Sequence, residues 1–233
     1  MKVVLFGATG MVGSGVLTEC RADSRIRSVL AIGRSPSGVD HQKVRELIRS
    51  DFFNYEDIRG ELIGVNACFF CLGVSSVGMD EATYHRLTYE LTIAAARALA
   101  EYSPGLTFCY VSGEGTDTSE RGRQMWARVK GKTENELLRM PHLNAYMFRP
   151  GYIHPLKGVR SKTRVYQAFY SVMGPFYPVL QKLFPTHVTT TENVGRAMIE
   201  VSMQGYGKRI LENDDINGLA AAAASTRLTP RNS

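Results

Sequence analysis

The sequence predicts an α/β protein, a three-layer, doubly wound parallel sheet with a small C-terminal cap, held in one domain over residues 1–218. Three observations carry that prediction. Short β-branched or aromatic runs alternate with longer segments of helical period, the pattern of stacked βαβ units. The first run, "KVVLF", passes directly into "GATGMVG" and then into a helix-like stretch. Finally, 233 residues, 44% of them hydrophobic, are enough to bury a substantial core at the upper end of single-domain size.

Taken in order, strands are predicted over 2–6, 28–32, 45–49, 66–71, 106–111 and 144–148. A helix is predicted over 80–102, where Tyr84, Leu87, Leu91, Ala95 and Ala98 form one apolar stripe at three- and four-residue steps. A second is predicted over 118–139, started by Thr118 or Ser119 as N-cap and stopped by Pro141. After Pro150 the composition changes to "LKGVRSKTR" and an aromatic-rich run that Gly174, Pro175 and Pro178 break into pieces, read as a substrate-side cap over 155–190. The helix "TENVGRAMIEVSMQG" and the strand "KRILE" follow, and the Ala-rich end over 219–233 reads as disordered or added by cloning.

Composition narrows the function classes. Charged residues make up 21%, and no apolar stretch reaches the roughly 18 residues of a membrane span. The N-terminus enters a strand without a leader-like apolar run, which points to a cytoplasmic protein. Cys20, Cys68, Cys71 and Cys109 read as buried thiols, because three of them lie in apolar strand-like runs. The Cys68-Phe-Phe-Cys71 spacing lacks the exposed helix N-terminus that a redox pair uses. His41, His85, His142, His154 and His187 are scattered, so no metal site is predicted. A net charge of +6 favours anionic partners, and a nucleotide serves as well as a nucleic acid or a membrane. The basic residues are spread out with no helix-turn-helix, zinc-finger or RNP-like pattern, so nucleic acid is not expected. Lys157, Arg160, Lys162 and Arg164 precede the aromatic stretch 165–184; peripheral membrane contact ranks below a cap with a solvated entrance.

The glycine cluster Gly7-Ala-Thr9-Gly10-Met11-Val12-Gly13 stands between a strand and a helix, where small residues allow a tight turn and bring phosphates onto backbone N–H groups. Its spacing is GxxGxxG, and the alternative is a turn with close helix packing. In a Rossmann-like fold the end of the second strand usually carries an acid when NAD is preferred. Here Arg34 stands there, a partner for a 2′-phosphate, which makes NADP(H) the expected cofactor and NAD(H) the alternative; a solvated surface arginine is the plain reading. Asp51 and Phe52, after the third strand, fall near the expected adenine edge, and Leu72 and Gly73, after the fourth, over the cofactor's path. Each is equally readable as ordinary loop or core.

Together with "FCLG" at 70–73, "YVSGEG" at 110–115, "WARVKGKTE" at 126–134 and "FRPGYI" at 148–153, these motifs resemble the atypical short-chain dehydrogenase/reductase superfamily, in particular the small NADP-binding branch of the Tat-interacting oxidoreductase and epimerase-like proteins. The likeness runs in order through residues 1–153 and, more loosely, the final helix. It implies that Ser112 hydrogen-bonds the substrate oxygen, that Lys130 holds the nicotinamide ribose, and that Pro150 lies at the cofactor. It also implies a tyrosine four residues before Lys130, and the sequence has Trp126. Positions 126 and 130 are one turn apart on one helix face, so an indole stands where the acid is expected. An indole N–H donates a hydrogen bond but does not titrate as a phenol does. The carbonyl or alcohol chemistry is therefore expected to be altered or weak, with a small-molecule substrate the sequence does not identify. Tyr84, His85, Tyr152 and His154 are the substitute acids considered, each also readable as core tyrosine or surface histidine. The competing class is a non-catalytic, NADP(H)-responsive regulatory or protein-binding module.

Overall fold

A computed structural model describes residues 1–155 and 185–228. The chain runs β1 (Lys2–Phe6), α1 (Met11–Ala22), β2 (Ser28–Gly33), β3 (Val44–Ile48), a one-turn α2 (Arg59–Leu62), β4 (Ala67–Phe70), α3 (Glu81–His85), α4 (Leu91–Tyr102), β5 (Leu106–Val111), α5 (Met125–Arg139) and β6 (Leu143–Arg149). It then continues through β7 (Tyr152–His154), β8 (Val188–Thr190), α6 (Thr191–Gln204), β9 (Ile210–Glu212) and α7 (Asn213–Leu228). Seven strands form one parallel sheet in the order β3-β2-β1-β4-β5-β6-β9, and β7 pairs with β8 in a small second ladder.

The strand alternation explains the three layers. Val3 and Leu5 face a core built with Val16 and Leu17 of α1, Val194 and Met198 of α6, and Ile216 of α7. Val4 and Phe6 face the opposite core, with Ile93 and Leu99 of α4 and Leu137 of α5. A sheet buried on both faces demands nearly continuous apolar strands, which "KVVLF", "ACFF" and "LTFCYV" supply. Sheet order reverses at β1, flanked by β2 on one side and β4 on the other. A crevice at the strands' carboxyl ends follows from that reversal, and ligands of such sheets bind there.

Where α1 crosses α6 the helices touch almost backbone to backbone. A Cβ on Gly15 would stand 2.3 Å from Cβ of Thr191, and one on Gly195 would stand 3.1 Å from Cα of Val16. The contact is flanked by Arg196, whose Nε donates to Glu19 at 3.0 Å.

Three expectations are corrected. The segment 80–102 is two helices joined by a π-turn over Arg86–Glu90, started by Asp80, whose carboxylate accepts the Thr83 N–H at 2.9 Å. The wider turn rotates the face, so Leu87 leaves the apolar stripe and is exposed. The helix placed at 118–139 starts at Met125, because the Asp117 carboxylate takes the N–H groups of Ser119, Arg121 and Gly122 at 3.0, 3.1 and 2.6 Å and folds that stretch into a loop. The Ala-rich end is not disordered as far as residue 228. It continues α7, with Leu219, Ala220 and Ala223 buried, since alanines suit both a helix and close packing. Most of the expected cap, with Lys157, Arg160, Lys162 and Arg164, lies outside the described residues, as do residues 229–233.

Candidate functional site

The glycine turn is shaped by contacts that only glycine permits. Gly7 has φ +82°, and a Cβ there would lie 2.8 Å from the Cys71 carbonyl carbon and 2.9 Å from the Leu72 nitrogen. A Cβ on Gly13 would stand 2.1 Å from the Gly7 oxygen. The turn closes through Gly10 N–H donating to the Gly7 carbonyl at 2.9 Å, and Gly10 is the N-cap of α1. No side chain caps this helix end and its first turn holds no acid. Its first N–H groups therefore point out of the turn at the positive end of a helix dipole, the arrangement that receives a phosphate. Thr9, Met11 and Val12 line the turn, all half-buried.

Arg34 follows β2 directly, is exposed, and is held by no hydrogen bond or ion pair among the described residues. Asp51 lies beyond β3 and spends one carboxylate oxygen on the N–H groups of Phe53 and Asn54, at 2.7 and 3.4 Å, forming a local turn. Phe52 is buried against Phe6, ring centroids 6.4 Å apart, so its side chain belongs to the core. Leu72 and Gly73 leave β4 beside Gly7.

Ser112, Trp126 and Lys130 come together near the end of β5. Ser112 is buried, and its hydroxyl donates to the Phe148 carbonyl at 3.1 Å. Lys130 Nζ donates to the Ser112 carbonyl. Trp126 donates its indole N–H to Gln124 Oε1 at 2.5 Å, and its ring lies 3.4 Å from where a Gly115 Cβ would be. Both hydrogens expected to face a substrate oxygen are thus engaged within the protein. The loop bearing Ser112 lies close on α5 because Gly131 has no side chain: a Cβ there would collide with the Asp117 carbonyl at 1.8 Å.

Burial lowers the Lys130 ammonium to about 8, partly offset by Glu134 one turn along the helix. Glu134 is fully buried and ion-paired with Arg149, whose Nε donates to Oε1 at 3.0 Å. Above about pH 8 Lys130 is therefore neutral. Affinity for NADPH is expected to fall as pH rises through 8 in calorimetric titrations, and Lys130→Gln is expected to flatten that dependence.

Of the substitute acids, Tyr84 is a core residue and His85 sits between Glu90 at 3.3 Å and Lys132 at 3.1 Å. Tyr152 and His154 lie on β7, and burial holds the His154 imidazole below its usual range. Pro150 is buried, and its carbonyl accepts the Glu114 N–H at 3.0 Å. Two residues given no role in the sequence analysis stand at this edge: Glu114 Oε1 lies 2.7 Å from His187 Nδ1. The signal for Glu114 was available, an acid between two glycines at the end of a central strand. His187 gave none, because only the β7–β8 ladder brings it there.

Solved structures with this architecture decide the fold. An oxidoreductase of the short-chain dehydrogenase/reductase family from Burkholderia thailandensis superposes with a TM-score of 0.64 at 13% identity, covering 98% of each chain. The WbmF enzyme of Bordetella bronchiseptica, solved with NAD+, superposes with a TM-score of 0.64 at 15% identity, covering 98% of this chain and 79% of that one. The fold is that of the short-chain dehydrogenases and epimerases.

Two sequence relatives are more similar in sequence than these structures. Protein FMP52, mitochondrial, of Debaryomyces hansenii is 24% identical over 88% of this chain and 88% of its own length. The leucinostatins biosynthesis cluster protein T of Purpureocillium lilacinum is 27% identical over 61% of this chain, and the match spans about half, 53%, of its length. No protein-family model matches the chain. Among the described residues no helix is long and apolar enough to cross a membrane. The burial of Cys20, Cys68 and Cys109 raises their thiol pKa values, as expected of core thiols; Cys71 is half-buried and raised likewise. A depression lined by Arg97, Glu101, Glu136, Arg139 and His142 lies at the far ends of α4 and α5 and includes none of the site residues.

Proposed function

We propose that this chain is an NADP(H)-binding oxidoreductase of altered mechanism, acting on the carbonyl or alcohol of a small molecule. The observation that carries the reading is the uncapped N-terminus of α1, held against the Cys71–Leu72 backbone by glycines that leave no room for a Cβ. A nucleotide's phosphates fit that concavity. When bound, NADPH supplies a hydride. Gly7, Gly10 and Gly13, with Thr9, Met11 and Val12, form the phosphate turn. Arg34 pairs with the 2′-phosphate, the Asp51 turn borders the adenine side with Phe52 packed in the core behind it, and Leu72, Gly73 and Pro150 border the nicotinamide side. Lys130 holds the ribose by its charge, and Ser112 and Trp126 flank the reacting carbonyl, the indole shielding it from water without supplying a proton.

Arg34→Glu tests the cofactor assignment. Losing a charge-assisted bond and adding repulsion is expected to weaken NADPH by about 10²-fold or more while changing NADH by under about 10-fold. Equal losses for both nucleotides would place Arg34 outside the 2′-phosphate site. Trp126 and Ser112, with their hydrogens engaged, favour one second reading, a nucleotide-responsive binding module. Saturable NADPH binding without oxidation by any aldehyde or ketone supports that module. Two compartments compete, the cytoplasm expected from sequence and the mitochondrion named for the fungal relatives, and imaging of the tagged chain separates them.

A further inference from the structure

We propose that His187, oriented by Glu114, is the proton donor that Trp126 cannot be. The inference rests on the oxidoreductase reading and concerns the same edge of the sheet. Glu114 lies two residues beyond Ser112, in a loop that Gly113 and Gly115 bend through positive φ values of +123° and +81°. That loop is tied to the end of β6 by the bond from Glu114 N–H to the Pro150 carbonyl. His187 arrives from elsewhere in the chain, directly before β8, whose pairing sets Val188 beside Tyr152. Asn213 fastens the arrangement: its Oδ1 accepts the Gly151 N–H at 3.1 Å and its Nδ2 donates to the Val188 carbonyl at 3.0 Å.

Gly151 makes the approach of the two side chains feasible. A Cβ there would stand 2.3 Å from the His187 carbonyl oxygen and 2.7 Å from Glu114 Oε2. Any other residue at 151 would push the pair apart. With Glu114 taking the Nδ1 proton, Nε2 is the nitrogen left to act, the orientation a carboxylate imposes on a general acid–base histidine. A Cβ on Gly115, next to Glu114, would lie 3.4 Å from the Trp126 ring, so the loop that carries Glu114 also passes the indole.

The step balances as follows. The substrate carbonyl carbon gains the hydride and its two electrons from NADPH, which is left oxidised, as the C=O π bond breaks. The carbonyl oxygen gains a proton from Nε2 of the His187 imidazolium. His187 ends neutral and regains its proton from solvent. Glu114 is a positioning residue and His187 the catalytic one.

The test measures NADPH affinity and the pH profile of NADPH oxidation by nitrobenzaldehyde and methylglyoxal in the full chain, His187→Gln and Glu114→Gln. Histidine NMR on isotope-labelled protein accompanies it. His187→Gln is expected to lower kcat by about 10²- to 10⁴-fold, the ordinary worth of a positioned acid, with NADPH affinity changed less than about 2-fold. A limb near 8 from Lys130 is expected to remain in His187→Gln. Glu114→Gln is expected to remove the hydrogen-bonded Nδ1–H resonance of His187. If NADPH binds but neither carbonyl is reduced, or His187→Gln turns over unchanged, the proposal is overturned and the cofactor reading stands. If NADPH does not bind, the reading beneath it fails as well.

Discussion

Arg149→Met is expected to cost about 3–5 kcal/mol of stability, measured by urea unfolding, because it strands a buried carboxylate. Glu134 has no exposure, and Arg149 is its ion-pair partner in the structure. The second contact of Arg149, to the half-exposed Glu212 at 3.2 Å, contributes little by comparison. Replacing both partners, Glu134→Leu with Arg149→Met, is expected to recover most of the loss, since the penalty lies in the unpaired charge rather than in the missing attraction. A functional readout accompanies the structural one. Glu134 already raises the Lys130 ammonium against its burial, and without Arg149 that carboxylate acts uncompensated. The pH limb near 8 is therefore expected to move upward in any Arg149→Met protein that remains folded, and an unmoved limb would separate the two charges.

Gly13→Val is expected to weaken NADPH binding and to destabilise the fold. The first added carbon already meets the Gly7 oxygen at 2.1 Å, and the obstacle is backbone that no rotamer change clears. Overpacking of this kind costs about 1–3 kcal/mol in a core. The same distortion imposed on the phosphate turn weakens affinity by about 10- to 10²-fold or more. Gly10→Ala is the graded comparison, because its Cβ would meet the same oxygen at 3.3 Å, where a few tenths of an ångström suffice. It is expected to keep most of the stability and part of the binding. Equal behaviour of the two variants, measured by calorimetry and thermal unfolding, would show that the turn is not the nucleotide's seat.

Much of the architecture was legible because a sheet buried on both faces leaves little choice of sequence. The six strands from Lys2 to Arg149 were found within one or two residues, and the glycine turn was placed correctly between the first strand and its helix. The failures are places where a side chain overrides a period. Asp117 captures three N–H groups that a helix starting at Ser119 would have needed, and the π-turn at Arg86–Glu90 shifts Leu87 off its stripe. At the candidate site, Ser112, Trp126 and Lys130 were named through the family resemblance, and the structure brings them to the end of β5 and the start of α5. The Glu114–His187 pair was not, because it joins residues 73 positions apart through a two-stranded ladder that no local pattern announces.

The close crossing of α1 and α6 bears on how the two ends of the candidate site are held together. The glycine turn begins α1, and α6 begins immediately after the strand that follows His187. The side chain of Thr191 lies over Gly15 and that of Glu19 over Gly195, so the spacing of the two helices is set by what those two glycines lack. Gly15→Ala, whose Cβ would overlap Thr191, would therefore have to displace the first residue of α6, which directly follows β8.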